Sequence, residues 1–537
     1  MTIRVLFGTE TGNAEDCAYQ LGDALEEQGF TASVTDMASF QPSDLAKERL
    51  AIVVTSTYGN GDPPYNAEAM MKWLNQPDSA VPGVAFAVCG LGDQTYPKFG
   101  QAGKDFDRLI EERGGRRIVP RVDCDVDYEE PFEQFMESVL QWLSENGDAL
   151  DADTEAAAPA GDEPAQPEVT AAIGTRSAPV RATLRSRRRL NREGSAKETM
   201  HYEFEWPDHE VAFQAGDSFA LIPENNPQEV AAVLAALNID ASAPVTVGDE
   251  SCSVREALMT TRDLQVVSED LLALLLSTGT NPSVGPDAAA YLDNRHLVDV
   301  LRDTSGASID AQALVDELRR LKPRLYSVAS SPLAEPRGVH FTVETLRYKW
   351  NGHSREGVAT TWLADRFNDG DSVPMYCVQA PHFRLPDAAG VPVIMVGPGT
   401  GVAPFRAFLQ ERRAKEDPGE AWLFFGHQHA ATDYLYEDEI EAWRADGTLN
   451  RASFAWSRDQ AEKVYVQDRI RENGADIWAW IEAGAYMYVC GDKNAMAPQV
   501  RDAFITIAVT HGGHGQAEAE ALFDGWEQSG RYCVDAY

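Results

Sequence analysis

The sequence predicts an α/β protein of several domains: a doubly wound parallel sheet, then a β-barrel interrupted by helices, then a second doubly wound sheet. Three observations carry that prediction. Residues 1–147, and again those from 391 onward, alternate short β-rich apolar runs with stretches of helical spacing; continuous apolar strands with crossover helices imply parallel sheets buried on both faces. Between them, β-rich text is interrupted at 225–322 by mostly helical sequence. Finally, 537 residues exceed one ordinary core and point to about three or four domains.

In residues 1–147 the strands are IRVLF, LAIVVTS, VAFAVCG and RIVPRVD, with helical spacing over 14–29, 101–113 and 132–144. Ligands on such sheets lie beyond the carboxyl ends of the strands. Residues 148–178 are rich in Ala, Pro, Asp and Glu and lack aromatics. They cannot bury enough to order themselves, and read as a flexible, self-repelling linker.

The barrel domain is expected over 179–387, its helical insertion (QEVAAVLAALN, SVREALMTT, SEDLLALLLSTG) giving way to PRLYSVASS. Its entrance, RATLRSRRRLNREG, is locally basic; in so acidic a chain it reads as a strand and turn at a domain entrance, not as a nucleic-acid patch, and whether it meets an acidic neighbour is left open. Residues 388–537 hold VPVIMVGPGTGVAPFRAFLQER, AWLFFGHQH, RASFAWSRD and AYMYVCGDKNAMAPQV, strand and helix alternating once more.

With 44% hydrophobic and 24% charged residues the chain reads as soluble and globular. The net charge of −39 argues against general affinity for nucleic acid or an anionic membrane. It leaves two readings open: a solvated acidic surface suited to a salty cytoplasm, or a docking face for a basic partner. No run of about 18 apolar residues occurs, and Arg4 interrupts the first strand before a signal-peptide core forms. A cytoplasmic protein, neither spanning nor anchored to a membrane, is expected.

Seven dispersed cysteines without a CxxC pair argue against a disulfide framework and against zinc or iron–sulfur ligation. His511 and His514 in HGGHG have no third ligand nearby in sequence and read as a glycine-punctuated helix end, so no metal is expected.

The first strand runs into GTETGNAED. Hydroxyls and N–H groups at a strand-to-helix turn hold phosphate, but the turn carries Glu10 and no lysine, unlike the GxxxxGK loop of nucleotide hydrolases. The next two strands end in TSTYGNGDPP and CGLGDQTYPKFG, bringing Tyr58 and Tyr96 to the same rim. Aromatics around a phosphate turn suit a planar ring with a phosphate tail.

TETGNA, STYG and LGDQTYPKF resemble the three FMN-binding loops of the flavodoxin-like domain of diflavin reductases. The resemblance implies an FMN site of Thr9, Glu10, Thr11, Gly12, Asn13, Ala14, Ser56, Thr57, Tyr58, Gly59, Leu91, Gly92, Asp93, Tyr96 and Phe99, with the two tyrosines flanking the isoalloxazine.

RLYSVASS (324–331) and GVATTWLADR (357–366) fall at a barrel strand and a helix start. Arg324 can grip a pyrophosphate bidentately, Tyr326 can stack on a flavin, and N–H groups at Gly357 to Thr360 can take the remaining oxygens. These segments are similar to the FAD motifs of the ferredoxin–NADP reductase fold. That implies an FAD site of Arg324, Leu325, Tyr326, Ser327, Thr342, Val343, Glu344, Gly357, Val358, Ala359, Thr360 and Tyr537, with Tyr348 on the adenine side.

GPGTGVAPFRAF (397–408) is fitted for a dinucleotide pyrophosphate, and SRDQAEKVYVQ supplies two cations and hydroxyl donors that suit a phosphate dianion. Both resemble the reductase family's NADP site. The resemblance implies NADPH over NADH, held by Gly399, Thr400, Ser457, Arg458, Lys463, Tyr465, Gln467, Cys490 and Gln499. It also implies catalytic roles for Ser327, Cys490 and Asp535, and for Tyr537 as the aromatic covering FAD until nicotinamide displaces it. Hydride transfer depends mainly on alignment, so small hydrogen-bonding groups suffice.

The implied fold is thus a flavodoxin-like domain, a ferredoxin–NADP reductase-like β-barrel FAD domain with a helical insertion, and a doubly wound NADP-binding domain. Within the family, AWSRDQAEKVYVQDRI and the closing DAY are most similar to the sulfite reductase flavoprotein branch. GVATTWL and QTYPKF look more like the microsomal and nitric-oxide-synthase reductases, and Gln499 replaces an expected acidic residue. The family implies electron transport from NADPH to FAD to FMN to a metalloprotein, here the sulfite reductase hemoprotein (beta) subunit of cysteine biosynthesis. The chain opens directly on its first strand, without the extension through which the bacterial flavoprotein assembles, which leaves the oligomeric state open. Two alternatives stand beside this: a soluble reductase for another haem or metalloenzyme acceptor, and a non-catalytic flavin-binding redox sensor.

Overall fold

The structure is a computed structural model that describes residues 2–9, 12–57, 61–77, 79–92, 94, 98–125, 128–152, 174, 178–206, 211–248, 250–350 and 352–536. It divides into two compact units, Met1–Pro167 and Glu168–Tyr537. Of the predicted site residues, Glu10, Thr11, Tyr58, Gly59, Asp93, Tyr96 and Tyr537 lie outside the described residues, as does most of the predicted linker.

Unit 1 is built on strands β1 (Thr2–Gly8), β2 (Thr31–Asp36), β3 (Leu50–Ser56), β4 (Ala85–Leu91), β5 (Arg116–Arg117) and β6 (Val122–Cys124). They run parallel in the order β2-β1-β3-β4-β5, with β6 also on β4. Helices α1 (Asn13–Glu27), α2 (Glu68–Leu74), α3 (Gln101–Glu112) and α4 (Glu129–Ala152) connect and cover them. Period-two alternation sends Ile52 and Val54 into one core with Leu21 and Phe135, and Val53 into another with Met70 and Phe106. Burying each such side chain contributes about 1.5–3 kcal/mol. The strand order reverses between β1 and β3, the crevice where ligands bind in open sheets.

The sequence reading missed β2, a half-buried strand at the sheet edge whose apolar pattern is weak. The single predicted strand RIVPRVD is two fragments, because Pro120 between them offers no N–H to the ladder. Helix α4 runs to Ala152, past the expected start of the linker at 148.

Unit 2 opens with β7 (Val180–Arg189), β8 (Thr199–Glu205) and β9 (Ser218–Leu221). Helices α5 to α10 (Pro227–Leu237, Val254–Thr260, Glu269–Thr278, Ala288–Leu292, Leu297–Asp303, Ala311–Glu317) follow, with a hairpin of β10 (Pro244–Val247) and β11 (Glu250–Ser253) among them. Asn226, Ser253, Ser268, Asp287 and Asp310 each accept a first-turn N–H, caps worth about 1 kcal/mol apiece. These helices share their own core around Leu234, Leu258, Leu271 and Leu314.

The barrel resumes with β12 (Arg324–Ser327), β13 (Gly338–Glu344), the hairpin β14 (Arg347–Trp350) and β15 (His353–Glu356), the short α11 (Val358–Thr361) and β16 (Ser372–Val378). Its antiparallel path is β12-β9-β16-β7-β8-β13, and a bridge between Val328 and Phe341 joins the two ends. The basic entrance strand is spent inside the unit: Arg185 pairs with Glu203 at 2.7 Å, Arg188 with Glu439 at 2.7 Å, and Arg192 with Glu437.

The second parallel sheet holds β17 (Val393–Val396), β18 (Ala421–His427), β19 (Arg451–Trp456), β20 (Tyr486–Gly491) and β21 (Tyr532–Ala536) in the order β19-β18-β17-β20-β21. Its helices are α12 (Ala403–Ala414), α13 (Ala430–Asp433), α14 (Glu437–Asp446), α15 (Val466–Glu472), α16 (Gly474–Glu482), α17 (Met496–Thr510) and α18 (Gln516–Gln528). The sheet and barrel share one core through Phe219, Phe341, Phe383, Phe405 and Tyr488. Among the described residues no helix is long and apolar enough to cross a membrane.

Candidate functional site

In unit 1 the predicted phosphate turn leaves β1 at the sheet's reversal point. Gly12 adopts φ +86°, a left-handed conformation that favours glycine. Its N–H donates to Thr9 Oγ1 at 2.9 Å, and its carbonyl accepts the first helical bond, from Asp16. The N–H groups of Asn13, Ala14 and Glu15 at the start of α1 precede that bond. The Thr9 N–H donates to Oδ1 of buried Asn66 at 2.9 Å, and Asn66 Nδ2 donates to Asp36 at 3.1 Å. Asn66 belongs to no recognisable motif, so the sequence reading missed it. Burial pushes the Asp36 carboxyl above its ordinary range.

The ends of β3 and β4 meet at this rim. Thr57 N–H donates to the Leu91 carbonyl at 2.9 Å, and Thr57 Oγ1 accepts from Ala102 N–H at 3.2 Å. A Cβ at Gly92 would stand 2.9 Å from the Gly100 nitrogen and 3.0 Å from the Phe99 ring, so glycine lets Phe99 pack on the loop.

In unit 2 the alternation along β12 puts Arg324 and Tyr326 on one face and Leu325 and Ser327 on the other. The Arg324 guanidinium donates to the Lys322 carbonyl at 2.6 Å and lies 3.9 Å from the Asp263 carboxylate. The Tyr326 ring lies 6.0 Å from Phe341, and burial pushes its phenol upward. At the other predicted flavin segment, Gly357 N–H is taken by the Leu346 carbonyl. The first helical bond is Thr361 to Gly357, leaving the N–H groups of Val358, Ala359 and Thr360 ahead of it. Leu325, Leu346 and Tyr348 are 44%, 49% and 44% exposed, large apolar surface beside these polar groups. Along β13, Val343 is buried in the barrel, whereas Thr342 bonds Tyr436 at 2.6 Å and Glu344 lines a cavity of the parallel sheet.

That cavity, about 600 Å³, lies over the carboxyl ends of β17 to β20. It is lined by the expected Gly399, Thr400, Ser457, Tyr465, Gln467 and Gln499, and also by His427, Asp492 and Met496, which the sequence reading did not single out. A Cβ at Gly401 would stand 2.1 Å from the Cys490 carbonyl, so the GPGTG turn is glycine-rich because it presses against β20. Gln467 Nε2 donates to Gln499 Oε1 at 2.7 Å. Arg458 and Lys463 flank this region, exposed, and among the described residues neither enters an ion pair.

Ser327 Oγ donates to Asp535 Oδ2 at 3.0 Å, and Cys490 Sγ lies 3.7 Å from the same oxygen. Cys490 and Asp535 are register partners on β20 and β21, so the parallel sheet fixes their spacing and the barrel delivers Ser327 to it. Burial pushes the Asp535 carboxyl above the usual carboxylate range against the opposing effects of Ser327, His382 and Cys490. Burial likewise holds the Cys490 thiol far above its ordinary value, so it remains an S–H donor.

His201, Glu203 and His340 also converge within 4.8 Å, a spacing that suits a metal. Arg406, however, donates to His340 Nδ1 at 3.2 Å, which fixes the proton on Nε2, and Arg185 occupies Glu203. With His201 Nδ1 at 2.8 Å from the Tyr436 hydroxyl, the trio is a hydrogen-bonded seam between barrel and parallel sheet. His511 caps the end of α17, and His514 lies 3.2 Å from Glu518.

Comparison with known proteins gives three family matches in order: flavodoxin over residues 5–138, an FAD binding domain over 174–284 and 287–362, and an oxidoreductase NAD-binding domain over 395–502. The whole chain aligns with the NADPH sulfite reductase flavoprotein alpha-component of Bacillus subtilis (strain 168), 39% identical and covering 89% of that protein. It aligns equally fully with those of Citrobacter koseri and Escherichia coli (strain K12), each 38% identical and 90% covered.

Proposed function

Because the chain belongs to the NADPH sulfite reductase flavoprotein alpha-component family of diflavin reductases, we propose that it is an NADPH-dependent flavoprotein oxidoreductase delivering electrons to the sulfite reductase hemoprotein. The observation that carries this reading is the Ser327, Cys490 and Asp535 cluster, in which barrel and nucleotide sheet meet on one carboxylate oxygen. When bound, FAD and FMN would supply the conversion of one hydride from NADPH, an electron pair, into single electrons.

The donor sets fit these groups. The Thr9 hydroxyl and the N–H groups of Asn13 and Ala14 at the start of α1 offer donors without a cation, enough for a phosphate that is only a handle and never reacts. Arg324 and the N–H groups of Val358 to Thr360 would hold the pyrophosphate, and exposed Leu325, Leu346 and Tyr348 are the apolar surface a flavin nucleotide would cover. Arg458 and Lys463, in no ion pair among the described residues, match a 2′-phosphate, with Ser457 and Tyr465 as hydroxyl donors. Ser327 holds the Asp535 carboxyl in place, and the protonated Cys490 thiol adds a second donor. The chain divides as its sequence suggests (1–147, 148–178, 179–387, 388–537), with the first boundary moved to the end of α4 at Ala152. Its place is the cytoplasm, where NADPH is regenerated.

The test is anaerobic mixing of the purified chain with the sulfite reductase hemoprotein of the same cell. NADPH-driven sulfide formation is expected. Strong cytochrome c reduction without sulfide would assign another acceptor, and a colourless protein would point to neither reductase.

A further inference from the structure

We infer that His427 is a binding residue for NADPH, donating from Nε2–H to the 5′-phosphate segment of the adenosine half; this rests on the NADPH reading above. His427 is the last residue of β18, its side chain only 5% exposed, and it lines the 600 Å³ cavity. Its Nδ1 accepts the Gln428 backbone N–H at 2.8 Å. A backbone amide is always a donor, so the imidazole proton must sit on Nε2. Asp433 does not compete for it: its Oδ2 is 3.6 Å from Nδ1, and its carboxylate is filled by Asn191, Ser195 and the His429 N–H. Burial keeps the ring neutral despite the Asp433 and Glu344 carboxylates nearby. No described residue accepts from Nε2–H. The result is a pre-set, unused donor in a cavity wall.

Strand order says which part of a dinucleotide it meets. Ser457 and Arg458 follow β19, the GPGT turn follows β17, and β18 lies between them. A nucleotide with its 2′-phosphate at Arg458 and its pyrophosphate at Gly399 and Thr400 passes its adenosine ribose and 5′-phosphate over His427. The His427 carbonyl also accepts from Ser457 N–H at 2.9 Å and Oγ at 3.2 Å, joining the donor to the phosphate loop.

Equilibrium binding of 2′,5′-ADP and of NADP+ to the oxidised, flavin-loaded full chain tests this. His427→Ala should weaken both ligands roughly tenfold, the loss expected for a hydrogen bond to a charged acceptor. It should raise KM for NADPH more than it lowers kcat. His427→Gln, whose amide nitrogen reaches the same place, should recover most of the affinity. Unchanged binding in His427→Ala would overturn the inference, as would a loss confined to NADP+, or a loss that Gln fails to recover. If the unmodified protein binds neither ligand, the NADPH reading itself falls and the inference with it.

Discussion

Replacing Arg458 by Ala should separate NADPH from NADH. Arg458 follows β19 at its carboxyl end, is exposed, and enters no ion pair among the described residues, so its guanidinium is available. A hydrogen bond to a charged group contributes about 1.5–3 kcal/mol; exposure to solvent favours the lower figure, and about 1.4 kcal/mol is a factor of ten. KM for NADPH should therefore rise roughly tenfold, while NADH, which lacks the 2′-phosphate, should be little affected. Arg451 is the matched control, since it opens the same strand at the opposite end, paired with Asp476 at 2.7 Å and lying 4.8 Å over Trp422. Its replacement should leave both nucleotides unchanged. Steady-state ferricyanide reduction at low and high salt reads all three proteins, and the Arg458 effect should shrink as salt screens it. Equal losses for NADPH and NADH, or none, would refute the 2′-phosphate assignment.

Asp535→Ala, which leaves Ser327 and Cys490 without their shared acceptor, should slow anaerobic flavin bleaching by NADPH tenfold or more without loss of flavin; an unchanged stopped-flow rate would contradict the positioning role. Asn66→Ala removes the acceptor of Thr9 N–H and the donor to Asp36, so the purified variant should be depleted in FMN but not FAD by chromatographic flavin analysis. Burial and Arg406 lower the His340 pKa to about 2. Its neutral form therefore contributes stability that is complete above about pH 6.5 and is lost as pH falls, at about 1.4 kcal/mol per unit. Urea midpoints should fall between pH 7 and 5.5, and His340→Gln should flatten that slope; an identical slope in the variant would contradict the buried-neutral assignment.

The sheets were legible because β1, β3, β4, β17, β18 and β20 are apolar on both faces, and the helical insertion because Leu and Val recur at helical spacing. Edge strand β2 was not, since its half-buried residues carry little pattern, and RIVPRVD read as one strand because composition hides the effect of Pro120. At the site, the glycine turns and Ser327, Cys490 and Asp535 were visible as motifs, although nothing local says that Cys490 and Asp535 are register partners. Glu344 shows the limit of reading by segment: it sits in flavin-like sequence, yet strand alternation turns it and Thr342 away from the barrel core. His427 and Asn66 act through a ring tautomer and a long-range hydrogen bond, which leave no sequence signature.

The most direct test of the account is an anaerobic titration of the purified chain with NADPH after its flavins are quantified. The account predicts a yellow protein with about one FMN and one FAD, bleached completely by about two equivalents of NADPH because each flavin takes an electron pair. A protein holding one flavin, or holding both while only FAD bleaches, would contradict it.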